Sequence, residues 1–171
     1  MPLIERAVRN LLEAGCVRHV FICTPSPSRF AWMDTAASSV VVGDHTAGLR
    51  AAISAFPDIR FVLVHDVTRA ATPPQVIKSV VEALEQGAKA VIPVLPLTDT
   101  VKVVDQDGRI TGTRDREELR VMQSPLGTAV ELLQQAEGDL PGGLGVPLST
   151  VPGHPHGLRI RTEFDVATVT P

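Results

Sequence analysis

Several features are missing from this chain of 171 residues, and each absence narrows what it can do. No apolar run approaches the ~20 residues a membrane helix needs, and the first residues lack the cationic start, apolar core and cleavage site of a secretory signal. A cytoplasmic protein with no membrane partner is the expectation. Positive charge is not in excess: 16 Lys and Arg against 19 Asp and Glu leave a formal net charge of −3. Such a chain has no basic field with which to wrap nucleic acid, so any phosphate binding rests on a few placed cations, and a small anionic substrate stays open. Cysteine is scarce. Cys16 and Cys23 have no second pair to complete a zinc site and read as reduced packing residues. His154 and His156 sit two apart in a loop of prolines and glycines, where solvent-exposed histidines are the better reading than a ligand set missing its other members. Internal repeats and low-complexity tracts are also absent.

What is present is the make-up of one compact domain over residues 1–171, with 44% hydrophobic and 20% charged residues. Leu3, Ile4, Ala7, Val8, Leu11 and Leu12 recur at three- and four-residue steps between Pro2 and Gly15, a helix with its start and stop marked. Apolar strands are expected at 20–24, 39–43, 61–65 and 90–95, with helical patterns near 46–56 and 74–86. Continuous apolar strands alternating with amphipathic helices imply an α/β fold: a Rossmann-like, mostly parallel sheet flanked by helices, with ligands bound beyond the strands' C-terminal ends. The pattern changes after Pro96. Residues 100–104 and 109–113 flank Asp105-Gln-Asp-Gly108, the alternation and turn chemistry of a β-hairpin. An isolated ribbon is marginal in water, so an arm at about 98–123 that packs on a second subunit is expected. Residues 126–136 read as helical, 137–157 as loop with a short strand near 147–151, and the C-terminus as a short helix.

Val64-His-Asp-Val-Thr-Arg69 concentrates the chemistry, because it ends a strand with a carboxylate and puts a guanidinium three residues on. Mg²⁺ takes carboxylate and phosphate oxygens, and arginine grips phosphate with two prongs, so Asp66 and Arg69 suit nucleotidyl transfer. A helix cap or a surface ion pair is the structural alternative for Asp66. The helix beginning near Pro73 is too far along the chain for a direct cap.

Further matches follow in order. Pro96-Leu-Thr-Asp-Thr-Val-Lys102, Thr113-Arg-Asp-Arg-Glu-Glu-Leu119 and Gln123-Ser-Pro125 resemble, in sequence and spacing, motifs of the 2-C-methyl-D-erythritol 4-phosphate cytidylyltransferase family. Upstream, Pro2-Leu-Ile-Glu5, Leu11-Leu-Glu-Ala-Gly15, Ser28-Arg-Phe30 and Gly43-Asp44 fall where that family has its counterparts, so the likeness runs from residue 2 to about 167. The resemblance implies an enzyme that joins CTP to the phosphate of methylerythritol phosphate and releases pyrophosphate, in the non-mevalonate route to isoprenoids. By the same resemblance Asp66 touches Mg²⁺ and substrate, Arg69 and Thr100 hold the sugar phosphate, and Gly43, Asp44, Gly48 and Val67 line the nucleotide site. Arg116 reaches the phosphate bound in the neighbouring subunit of a homodimer, Ser124 lies near the arm, and Arg159 stands where the family keeps a phosphate-binding lysine. Thr100 as a plain strand start, Arg116 paired with Glu117 or Glu118, and Arg159 snorkelling from an edge remain the structural readings.

The chain also departs from the family pattern. The strand and Gly-rich loop that carry triphosphate-binding cations in the family do not precede Met1, so the natural start is expected upstream and turnover by these 171 residues alone is expected to be low. In that fold the first strand is central, so its loss is expected to leave two facing strand edges. Val67-Thr68 replaces a small pair, Gly48 a serine, Leu126 a glutamine and His156-Gly157 an Asp-Asn, and the C-terminal helix looks shortened after Val166. Two other functions follow from these departures: a binding or regulatory dimer without turnover, and a cytidylyltransferase for another phosphorylated alcohol such as ribitol 5-phosphate.

Overall fold

The amphipathic stripe near the start forms helix α1, Leu3–Glu13, which buries Ala7, Val8 and Leu11. Its polar Asn10 also faces inward, donating through Nδ2 to the carbonyls of Ala70 and Thr72 at 3.1 Å each, and so ties α1 to the loop after a later strand. These relations come from a computed structural model, which describes residues 1–169. Strand β1, Val20–Thr24, pairs in parallel with β2, Ser38–Val42. Helix α2, His45–Ala55, follows, capped by Asp44, whose Oδ1 accepts from the amides of Thr46 and Ala47. Strand β3, Phe61–Val64, helix α3, Pro74–Glu85, and strand β4, Ala90–Pro96, complete the run foreseen from the periodicity, within a residue or so at each end.

Residues 126–136 were expected to be helical; they divide into strand β8, Leu126–Ala129, and helix α4, Val130–Gln135. β8 runs antiparallel between β3 and β4. The reason lies in packing that a local pattern does not contain. Gly127 presses its backbone onto α3, where an added Cβ would lie 2.5 Å from Val80 and 2.9 Å from Leu84. Strand β7, Arg120–Met122, adds antiparallel to the end of β4, and β9, Ser149–Pro152, adds parallel to its start. β3, β4 and β9 therefore share one direction. Arg18, just before β1, lies 3.4 Å from Asp58, just before β3, so the two strands start near one another.

Helices cover both faces of these strands. Val80, Leu84 and Val91 pack with Phe61 and Leu63 on the α3 face, while Leu49 of α2, Ile92, Leu126, Val130 and Leu133 pack with Val62 and Val64 on the other. Alternate residues of β3 thus serve two cores, the signature of a strand buried on both faces. Strands β5, Val101–Val104, and β6, Ile110–Arg114, form a two-stranded sheet of their own, as the hairpin chemistry foretold. Helix α5, Glu163–Val169, closes the described chain and buries Val169 beside Ala7 and Ala70. Two expectations fail here. Both cysteines are exposed rather than packed in a core, Cys16 beyond the end of α1 and Cys23 on the flank of β1. His154 is half-buried, its main chain bound by Gln123, and only His156 is exposed. Among the described residues no helix is long and apolar enough to cross a membrane.

The Gly127 contact makes a direct stability prediction. Val80 and Leu84 are buried to 0% and 2% exposure and have no room to retreat. Gly127→Ala should lower unfolding free energy by ~1–2 kcal/mol, because overpacking outweighs the ~0.4–1 kcal/mol gained by restricting the unfolded chain. Urea denaturation of the two proteins measures the difference, and an unchanged or raised midpoint contradicts this packing.

Candidate active site

β3 delivers His65 and Asp66 to the C-terminal edge of the sheet. The chain then makes a single 3₁₀ turn, Val67–Arg69, and Asp66 caps it: Oδ1 accepts from the Thr68 amide at 2.9 Å and the Thr68 hydroxyl at 2.7 Å. A capping role for Asp66 had been set aside because α3 begins too far away; the capped element is this short turn, which apolar periodicity does not reveal. The other carboxylate oxygen, Oδ2, accepts from Arg159 Nη2 at 2.9 Å. Burial pushes the Asp66 carboxyl up, but the Thr68 hydroxyl and amide, Arg159 and Arg69 outweigh it and hold it below its ordinary value.

Two further groups fix this residue. The Asp66 amide donates to Ser124 Oγ at 2.9 Å, and the same oxygen lies 2.9 Å from His65 Nδ1. Ser124 is itself buried. The half-buried His65 ring lines a cavity, and its desolvation, with some help from Arg69 and against the pull of Asp66, lowers its pKa to about 4. His65 is therefore neutral at physiological pH.

Arg69 folds back on the protein. Its Nη1 donates to the Gly157 carbonyl at 2.6 Å and its Nη2 to the Met122 carbonyl at 2.9 Å, so the fork expected for a phosphate holds two backbone oxygens. Burial, and then the nearby Arg159 and Arg161, make it easier to deprotonate than an ordinary arginine. The guanidinium groups of Arg69, Arg159 and Arg161 outnumber the carboxylates of Asp66 and Asp165, which leaves this corner positive and favours a phosphorylated ligand. Gln123 braces the same loop, its side chain exchanging hydrogen bonds with the His154 carbonyl and amide at 2.8 and 2.9 Å.

The remaining expected positions fall in two places. Asp44, Gly48 and Val67 line the same cavity as His65, and Gly43 adjoins them with φ +126°, its amide donating to the Thr24 carbonyl at 3.1 Å. A side chain at Gly48 would meet the Cys23 sulfur, which explains a glycine where the family resemblance implies serine. Thr100 and Arg116 belong to the hairpin segment. Thr100 precedes β5, and Arg116 donates to the Thr98 carbonyl at 2.7 Å rather than pairing with Glu117 or Glu118. Asp66, Arg69, Ser124 and Arg159 are thus gathered, with Val67 beside them, while Thr100 is exposed and Arg116 is held within its own segment. The residues that sequence reasoning had not singled out are His65, Thr68, Gln123 and Arg161. Thr68 had a signal, as Asp-x-Thr is a local capping pattern, and Gln123 lay inside a quoted motif.

A carboxylate and a cluster of guanidinium groups at the strand ends of an α/β sheet make a corner suited to a phosphorylated ligand, in a protein of the doubly wound α/β class. The profile of the 2-C-methyl-D-erythritol 4-phosphate cytidylyltransferase family matches residues 1–170, and the chain belongs to that family. A relative of that name from Saccharopolyspora erythraea is 43% identical over 186 residues, covering 96% of this chain and 83% of the relative. One from Nocardia farcinica is 39% identical over 184 residues, covering 96% and 78%. Among solved structures, the Thermus thermophilus enzyme of the same name superposes with a TM-score of 0.75 at 23% identity, covering 98% of this chain and 86% of that one. The 4-diphosphocytidyl-2C-methyl-D-erythritol synthase of Anaerococcus prevotii superposes with a TM-score of 0.79 at 17% identity, covering 99% and 84%.

The neutral, half-buried His65 carries a pH signature. Its folded pKa lies below its ordinary value of 6.5, so the unfolded chain binds a proton that the folded one refuses. Stability should fall by roughly 2–3 kcal/mol as pH drops from 7 towards 4, before the depressed carboxyl of Asp66 contributes its own loss at lower pH. Urea titrations across this range check it, and His65→Gln should flatten the slope.

Proposed function

We propose that this chain is a cytoplasmic cytidylyltransferase that joins CTP to 2-C-methyl-D-erythritol 4-phosphate. The acceptor's phosphate oxygen bonds to the α-phosphorus of CTP, the bond to the β-phosphate breaks, and pyrophosphate leaves. The observation that carries this reading is the Asp66 cluster: one carboxylate, oriented by Thr68 and Ser124, set among Arg69, Arg159 and Arg161 at the sheet's C-terminal edge. Little covalent chemistry is asked of a protein in such a transfer; it aligns two phosphates and absorbs charge. Arg159, on an exposed and movable side chain, would turn from Asp66 to the acceptor phosphate, while Arg69 keeps the 153–157 loop in place and adds its charge. Asp44 and Gly43 face the nucleotide across the cavity.

Mg²⁺ belongs to the same proposal. No group of three or more His, Cys, Asp or Glu among the described residues could hold a metal alone. That fits Mg²⁺, which usually binds through one or two carboxylates together with substrate phosphates, with Asp66 as the protein's ligand and charge neutralisation as its contribution. A second reading, a sugar-phosphate-binding dimer without turnover, is favoured by one feature: both Asp66 oxygens already have partners in Thr68 and Arg159. Ribitol 5-phosphate as acceptor is a variant of the first reading.

Pyrophosphate release from CTP, Mg²⁺ and methylerythritol phosphate tests the proposal. In an active, full-length form of the protein, Asp66→Asn should cut turnover by ~100-fold or more with the fold intact, while Arg159→Ala should chiefly raise KM for the acceptor. Arg69→Lys, which keeps charge but loses the fork, should raise that KM less steeply and loosen the 153–157 loop. Near-normal turnover by Asp66→Asn would falsify the catalytic assignment, and release with ribitol 5-phosphate alone would identify the other acceptor.

We also propose a homodimer built through residues 98–123. Val104 and Ile110 are 57% and 68% exposed on the two-stranded sheet, and a two-stranded ribbon is marginal in water without a surface to pack on. Light scattering at tens of micromolar should report twice the chain mass, and Ile110→Lys should return it to one.

A further inference from the structure

Between the end of β9 and Arg159 the chain makes one 3₁₀ turn, Pro155–Gly157, with His154 as its cap. The His154 carbonyl accepts from the Gly157 amide at 2.8 Å and from Gln123 Nε2 at 2.8 Å, while the His154 amide donates to Gln123 Oε1 at 2.9 Å. One side-chain amide thus holds both main-chain groups of the residue on which the turn is built. Gln123 is itself fixed: it is buried, and its own amide donates to the Pro93 carbonyl of β4 at 2.8 Å, next to the Val94 carbonyl that takes the Gly153 amide.

The loop is shaped to this amide. A Cβ at Gly153 would collide with Gln123 Oε1, and one at Gly157 would lie 2.8 Å from the same atom. Neither glycine has a positive φ, so closeness to Gln123, not backbone conformation, excludes a side chain at both positions. An apolar residue of the same volume would fill the space without fixing the loop, because only directional bonds select one placement. Beyond the turn, the Gly157 carbonyl accepts from Arg69 and the Ile160 amide donates to the Thr68 carbonyl, so Arg159 stands between two anchored residues and meets Asp66 at 2.9 Å. The neighbour of Gln123 fixes the other half of that pair, as Ser124 Oγ accepts from the Asp66 amide. Consecutive residues thus place the carboxylate and the guanidinium.

We infer that Gln123 is a positioning residue for the acceptor phosphate: by gripping both main-chain groups of His154 it sets the path of the 153–157 loop, and so the reach of Arg159 beside Asp66. The inference rests on the reading of this corner as the acceptor site of a cytidylyltransferase. Gln123 acts through Arg159. A guanidinium on an anchored loop loses less freedom on binding a phosphate than one on a loose loop, so Gln123 is felt in acceptor affinity.

Binding of 2-C-methyl-D-erythritol 4-phosphate to the full chain, followed by titration calorimetry, tests this in a double-mutant cycle. Gln123→Met keeps the volume and removes both hydrogen bonds to His154. It should raise the acceptor Kd by about tenfold, and speed amide exchange at His154 while leaving that of Gly153, bound to β4, nearly unchanged. In an Arg159→Met background the same change should move Kd by less than about twofold, because the group through which Gln123 acts is already gone. A residue that only supports the fold would weaken binding in both backgrounds alike. Gln123→Glu keeps the bond from the His154 amide but turns a donor into an acceptor facing the His154 carbonyl. It should shift Kd in the same direction, and it decides the question if Gln123→Met does not fold. The inference is overturned if the Gln123 variants bind the acceptor as the wild type does, or if their losses add in full to that of Arg159→Met. A wild-type chain that binds no acceptor, or binds it no better than Arg159→Met, overturns the reading of the site and this inference with it.

Discussion

Asp66 accepts hydrogen bonds from Thr68 and Arg159 through its carboxylate and donates its own amide to Ser124, so one residue at the end of β3 joins segments 58 and 93 positions away. The rest of this corner leans on it. Ser124 stands just before β8, the strand that holds β3 and β4 together, so the same bond that orients the carboxylate also sets where β8 begins. Arg159 lies on the segment before α5, whose Ile160 amide donates to the Thr68 carbonyl at 2.7 Å. A carboxylate with fewer partners would be freer to meet a cation but less well placed to do so.

The positive charge around Asp66 is unevenly employed. Arg69 is bound into the structure through two carbonyls, while Arg159 has a single carboxylate oxygen as partner and is about half exposed. Guanidinium groups in the two roles differ in what they offer a phosphate: one adds a fixed field, the other can move to form a two-pronged contact. His65 stays out of this exchange of charge. Half-buried and neutral, it steadies the Ser124 hydroxyl.

The cavity between β1 and β3 and the Asp66 corner meet at the sheet's C-terminal edge, where Thr24, Asp44, His65 and Val67 line the upper end of the cavity. The two-stranded sheet of β5 and β6 stands apart from this arrangement, with its own turn chemistry and exposed apolar residues.

Local chemistry was enough to set α1, α2, α3, the four apolar strands and the hairpin, because each is specified by a period or a turn within a dozen residues: the stripe from Leu3 to Leu12, the capping carboxylate of Asp44, the Asp105–Gly108 turn. The same local view put Asp66 at a strand end and drew attention to Arg69, while the family resemblance added Ser124 and Arg159. It did not separate β8 from α4, since Leu126–Ala129 becomes a strand only when Gly127 meets Val80 and Leu84 across the sheet. Nor did it show that Arg69 would spend its fork on Gly157 and Met122, or that Thr68 and Arg159 would share Asp66. Those choices turn on which groups lie within 3 Å after folding. Sequence by itself determined the kinds of element and the residue types available for phosphate chemistry; only the tertiary structure decided their partners, because a hydrogen bond between residues 93 positions apart depends on geometry that no neighbouring residue encodes.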